Sequence, residues 1–74
     1  MVSNTIGLLE ILNDGQTLKL SNGTLFRVNP FDLPEVRTWT MSNDIELAET
    51  NDRVFNYTLT NTYTDTCVRA MKLG

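Results

Sequence analysis

Four clusters of turn-forming residues cut this chain into short apolar runs: Asn13-Asp14-Gly15, Ser21-Asn22-Gly23, Ser42-Asn43-Asp44 and Thr50-Asn51-Asp52. They recur every eight to about twenty residues, too closely for long helices and at the spacing of strands in a small sheet or barrel. Asn, Asp and Gly tolerate the positive φ that tight hairpin turns demand, so each cluster marks a place where the chain reverses. Between Ser21-Asn22-Gly23 and its neighbours the alternation is clear. Leu18 and Leu20 share one face against Thr17 and Lys19, and Phe26 and Val28 share one face of the return strand, 24–29.

The remaining segments read in the same way. Residues 6–12 are apolar apart from Gly7 and Glu10; a strand is favoured, with a short helix as the competing reading. Pro30 and Pro34 remove ladder donors, so 29–35 is a loop with a helical turn at 33–36, and Phe31 and Leu33 are expected to plug one end of the barrel. Further strands are expected at 37–41, with Trp39 and Met41 on one face, at 44–49, with Ile45 and Leu47 inward, and at 53–60, with Phe55, Tyr57 and Leu59 on one face. The last strand, 66–73, has two registers: either Val68 and Ala70 face in, or Cys67, Met71 and Leu73 do. A meander this short best buries its edges by closing. The pattern predicts one all-β domain over residues 1–74. We expect a small SH3-like barrel, or else an OB-like one, of five to seven short strands with a Pro-containing loop or helical turn near 30–36. Whether residues 1–5 are ordered stays open.

Length makes that core matter. A chain of 74 residues buries only ~60% of its unfolded surface, and its one cysteine, Cys67, cannot form an internal disulfide. With no histidine and one cysteine there is no conventional zinc set, and neither a cofactor nor a metal is expected. Net charge −3 weakens bulk attraction to nucleic acid or an anionic membrane, and no apolar run is long enough to span a bilayer. No signal peptide is visible at the start, so the cytoplasm is the default compartment.

The run Leu12-Asn13-Asp14-Gly15, then Leu20 to Val28, Trp39 and Asn43-Asp44-Ile45-Glu46-Leu47, resembles short bacterial proteins of unknown function. The ending Tyr57-Thr58-Leu59-Thr60-Asn61 followed by Cys67-Val68-Arg69-Ala70 is similar to theirs. The shared positions are turn and core residues, covering about 12–73. The resemblance therefore implies a fold and carries no active site. This chain has Ser42-Asn43-Asp44 where that group has a Gly-Asp turn, and Phe26 where Trp is commoner.

Catalytic residues are not expected: the usual general base is missing, and Cys67, in an apolar strand, reads as a buried, inert thiol. Asp44 and Glu46 share a strand face as a solvated acidic pair. The better-motivated site is a binding surface of Phe31, Arg37, Trp39 and Tyr63, because aromatics beside arginines are how small barrels hold peptides or stack bases. Against this, Trp39 also suits the core, and Tyr63, among polar neighbours, is the better exposed aromatic. The expected function is a non-enzymatic interaction module that binds a protein partner or itself, with a single-stranded nucleic-acid binder as the alternative. Self-association would use an open barrel edge, with Met41 and Met71 at the interface.

Overall fold

The computed structural model describes residues 5–73. Six strands form a closed antiparallel barrel: β1 (Thr5–Leu12), β2 (Thr17–Leu20), β3 (Leu25–Val28), β4 (Asp44–Glu49), β5 (Tyr57–Asn61) and β6 (Thr66–Leu73). This is the all-β small barrel, of the SH3/OB-like kind, that the punctuation predicts. The strand order β1-β2-β3-β6-β5-β4 joins two three-stranded meanders. After three hairpin-linked strands the fourth returns beside the first, the Greek-key arrangement. The return, residues 29–43, crosses the barrel and carries a 3-10 turn (Pro30–Asp32) and one helical turn, α1 (Leu33–Val36). Of the residues whose order was left open, Thr5 opens β1, and 1–4 lie outside the described residues.

Why these strands form is legible residue by residue. Leu18 and Leu20 point inward at 0% exposure, as do Phe26 and Val28 on β3, with Leu18 directly opposite Phe26. Gly23, at φ +88, closes the hairpin, and the Leu20 carbonyl accepts from its N–H. Ile45 and Leu59 are fully buried on β4 and β5, and Phe26 meets Tyr57 edge-on at 5.3 Å. On β6 Val68 and Ala70 face in. Period-2 alternation then forces Cys67 outward, so the expectation of a buried thiol is corrected: Cys67 is exposed. Met71 and Leu73 are half-buried farther along the same strand.

Three further expectations change. Residues 37–41 form no strand, because the N–H groups of Arg37, Thr38 and Trp39 donate back to the Leu33, Glu35 and Val36 carbonyls. Amides spent within a helical turn are lost to a ladder. The strand expected from Arg53 starts only at Tyr57. Asp52 Oδ1 accepts from the Val54 and Phe55 N–H groups, each at 2.8 Å, and holds the preceding residues in a loop. Phe31 does not plug the barrel and is 92% exposed. Leu33, as expected, packs on the core, and Val36 and Trp39 take the remaining space.

The plug explains Gly15. It sits at φ +95 in the 3-10 turn Asn13–Gly15, and a Cβ there would approach Val36 Cγ1 to 3.3 Å. Only a residue without a side chain lets this turn close against α1 in that backbone conformation.

Candidate functional site

The four residues expected at a binding surface separate into two groups. Phe31 and Tyr63 are exposed aromatics, the latter at 68%. Trp39 is buried, with only 3% of its surface open, and stands with Arg37 at the crossover.

Each exposed aromatic is presented by the same device. The two buried polar residues among the described residues are Asn29 and Asn61, each placed two positions before an aromatic. Asn29 Oδ1 accepts from the Phe31 N–H at 3.0 Å, and Asn61 Oδ1 accepts from the Tyr63 N–H at 2.8 Å. These Asx turns point the aromatic side chain away from the barrel while the amide anchors its backbone. The spacing Asn-x-aromatic, in Asn29-Pro30-Phe31 and Asn61-Thr62-Tyr63, is the signal in the sequence that reveals the pair.

Both turns are fastened to β6. The Asn29 N–H donates to the Arg69 carbonyl, the Arg69 N–H donates to Asp32 Oδ2 at 2.8 Å, and Asn61 pairs with Thr66. Thr66 and Arg69 lie three residues apart, so the two anchors stand ~10 Å apart along the strand at ~3.3 Å per residue. Between them the outward residues of β6 are Cys67 and Arg69, both exposed. Phe31 thus follows the strand beside β6 and Tyr63 lies in the hairpin that leads into it, while β6 itself carries an exposed thiol and a guanidinium.

Asn61 also ties this end of the barrel together. Its Nδ2 donates to Asn43 Oδ1 at 2.8 Å, and the same oxygen accepts from the Thr40 N–H at 3.0 Å. Trp39 Nε1 donates to Thr66 Oγ1 at 2.9 Å. Among the described residues no buried side-chain polar atom lacks a partner. No cluster of His, Cys, Asp and Glu among the described residues is arranged to hold a metal.

The second group lines a cavity of about 320 Å3 between β1 and the crossover, formed by Ile11, Asp14, Gly15, Val36, Arg37 and Trp39. Arg37 and Asp14 meet at its rim at 3.8 Å, with their side chains 60% and 86% exposed. A pair this wet contributes ~0–1 kcal/mol and leaves most guanidinium donors free. Sequence reasoning did not single out Ile11, Gly15 or Val36, since apolar residues of this kind are ordinarily core.

The closed strand order removes the wholly open edge strand on which the self-association reading relied. The six basic residues are spread over β2, β3, the crossover, the loop after β4, and β6. No helix among the described residues is long and apolar enough to cross a membrane. No family model matches the chain, and no curated protein or solved structure matches it.

Proposed function

We propose that this barrel is a non-enzymatic interaction module that binds a protein partner through the surface of Phe31, Tyr63 and Arg69. The observation that carries the reading is the pair of buried asparagines, each fastened beside β6, that anchor the backbones of two exposed aromatics. Aromatic side chains with fixed backbones and a nearby arginine are the residue types that dominate binding energy at protein interfaces. Exposing Phe31 at 92% forgoes burial worth roughly 1.5–3 kcal/mol to a chain of marginal core. A protein partner is favoured over nucleic acid because net charge −3 opposes a phosphate backbone. A cytoplasmic setting suits a single exposed thiol, Cys67, which stays reduced there.

The test is affinity capture from an extract of the source cell, comparing the wild type with the Phe31→Ala/Tyr63→Ala double variant. One protein retained by the wild type and released by the variant, with unchanged retention in moderate salt, is the expected result. Equal retention by both would end the reading. Oligonucleotide binding that collapses with salt would replace it with the nucleic-acid alternative. Because both side chains are exposed, the variant should melt at the wild-type temperature, which keeps loss of binding distinct from loss of fold.

A further inference from the structure

The crossover meets β1 at one place and the 3-10 turn after β1 at another, and the cavity beside Ile11 lies between them. At one end the Ser42 N–H donates to the Leu8 carbonyl and the Leu8 N–H donates to the Asn43 carbonyl, each at 2.8 Å. At the other, Gly15 lies against Val36 and Asp14 meets Arg37. Pairing of β1 with β4 covers Thr5, Ile6 and Gly7. From Glu10 to Leu12, β1 pairs with β2 on one side. Among the described residues no backbone hydrogen bond joins residues 9–12 to the crossover on the other. Among the described residues the second half of β1 is therefore a free edge on this side, and the cavity beside Ile11 lies along it.

We infer that this gap is a docking groove for the C-terminal end of a partner protein, an extended peptide with an aliphatic last residue and a free carboxylate. Three features select that occupant. A free strand edge offers every second N–H and C=O to an extended backbone, the addition of a strand. A cavity of about 320 Å3 is at the small end for ligand pockets (~300–1,000 Å3); with half-buried Ile11 as its accessible apolar side and the buried Val36 and Trp39 behind it, it suits one small aliphatic side chain. At its rim Arg37 is 60% exposed, with a single long contact to Asp14, so its remaining N–H donors are available to a carboxylate. Leu9, where the pairing of β1 with β2 shifts, is 46% exposed beside the edge and adds apolar surface. A second copy of this chain fits less well, since pairing two such edges would bring the exposed Glu10 residues of both copies close together.

The inference rests on the reading of the chain as a protein-interaction module but uses different residues from the Phe31–Tyr63 surface, so each fails separately. The first probe is N-acetyl-leucine, the smallest fragment with the side chain, amide and carboxylate of such an end, followed by NMR. We expect saturable shifts at the Ile11 and Val36 methyls and at Trp39 Nε1–H, with a Kd on the order of a few mM for a ligand of this size. The C-terminal amide should bind about tenfold more weakly. Arg37→Gln should also weaken binding about tenfold, whereas Asp14→Asn should tighten it about threefold by removing a competing carboxylate. Asp14 sits at φ 59, a conformation Asn accepts readily, so that variant keeps the fold. The second probe is acetyl-Thr-Val-Thr-Val-Leu with a free C-terminus, which should bind at least tenfold more tightly than N-acetyl-leucine and shift the amides of residues 9–12.

No saturable shift at the cavity by about 50 mM, roughly ten times the expected Kd, would overturn the proposal. So would Arg37→Gln and Asp14→Asn moving affinity in the same direction. A pentapeptide no tighter than the single residue would overturn strand docking. Success here alongside unchanged capture by the Phe31→Ala/Tyr63→Ala variant would retire the aromatic surface and keep the groove.

Discussion

The two meanders close the same barrel with different chemistry. β1 to β3 fill it with Leu8, Leu18, Leu20, Phe26 and Val28, all apolar and each no more than 2% exposed. β4 to β6 contribute Ile45, Leu59, Val68 and the small Ala70, then bury an amide, Asn61, at 0% exposure. Hydrophobic burial is non-directional and tolerant of small shifts. A buried amide is directional: it stabilises one arrangement of its neighbours and penalises the rest. The second meander gives up apolar volume and gains fixed orientation, and that is where Tyr63 is held out. The crossover shows the same division, since Asn29 fixes Phe31 while Val36 and Trp39 complete the core.

The sharpest way to break this contrast is to truncate one buried group in each half. Phe26→Ala removes the largest fully buried side chain and its contact with Tyr57. A loss of about 3–5 kcal/mol is expected in chemical denaturation, enough to unfold a barrel this small at room temperature. Asn61→Ala costs less, about 1–3 kcal/mol, because it strands donors and leaves little cavity. Its signature is local. Hydrogen exchange should accelerate first at the Tyr63 and Thr64 amides, which lose Asn61 Oδ1 at 2.8 and 3.4 Å. Equal costs, or uniform exchange across the barrel in both variants, would show that the two halves are held in the same way.

The smallest effect belongs to Asp52, outside both cores. The Phe55 and Val54 N–H groups donate to its carboxylate and hold its pKa below the ordinary 3.8, with Arg69 adding a weaker pull in the same direction. A depressed carboxyl pKa contributes stability that is present above pH ~3.8 and fades as pH falls through the lower folded value. Carboxyl NMR titration should therefore place Asp52 below the ordinary 3.8, and the Val54 and Phe55 amide shifts should follow the same curve. In Asp52→Ala those amide shifts should be flat over the same range; a titration at the ordinary value in the wild type would remove the loop's anchor.

Much of the fold is legible in the residues because it rests on local rules. The β2–β3 hairpin follows from alternation and a glycine at positive φ, and α1 follows from Pro34 and its neighbours, in each case through contacts a few residues apart. The site is less legible. Trp39 reads as anchor or core from its neighbours, and only the fold places it in the core with its indole N–H donating to Thr66, 27 positions away. Phe31 reads as a plug because it is large and apolar, yet its N–H donates to Asn29 Oδ1 and its side chain stands exposed. Arg37 gains its place at a cavity only when the crossover meets β1.

By itself the sequence determined where the chain turns, which residues alternate into a core, and that catalytic histidine and metal chemistry lack their usual residues. Those are matters of composition and of spacing along the backbone. Tertiary structure decided that Val68 and Ala70 face in while Cys67 faces out, and that Asn29 and Asn61 are buried beneath exposed aromatics. Among the described residues it also left half of β1 paired on one side only. Register, burial of an amide and exposure of an edge all depend on which distant strand lies alongside, and barrel closure fixes that for every strand at once.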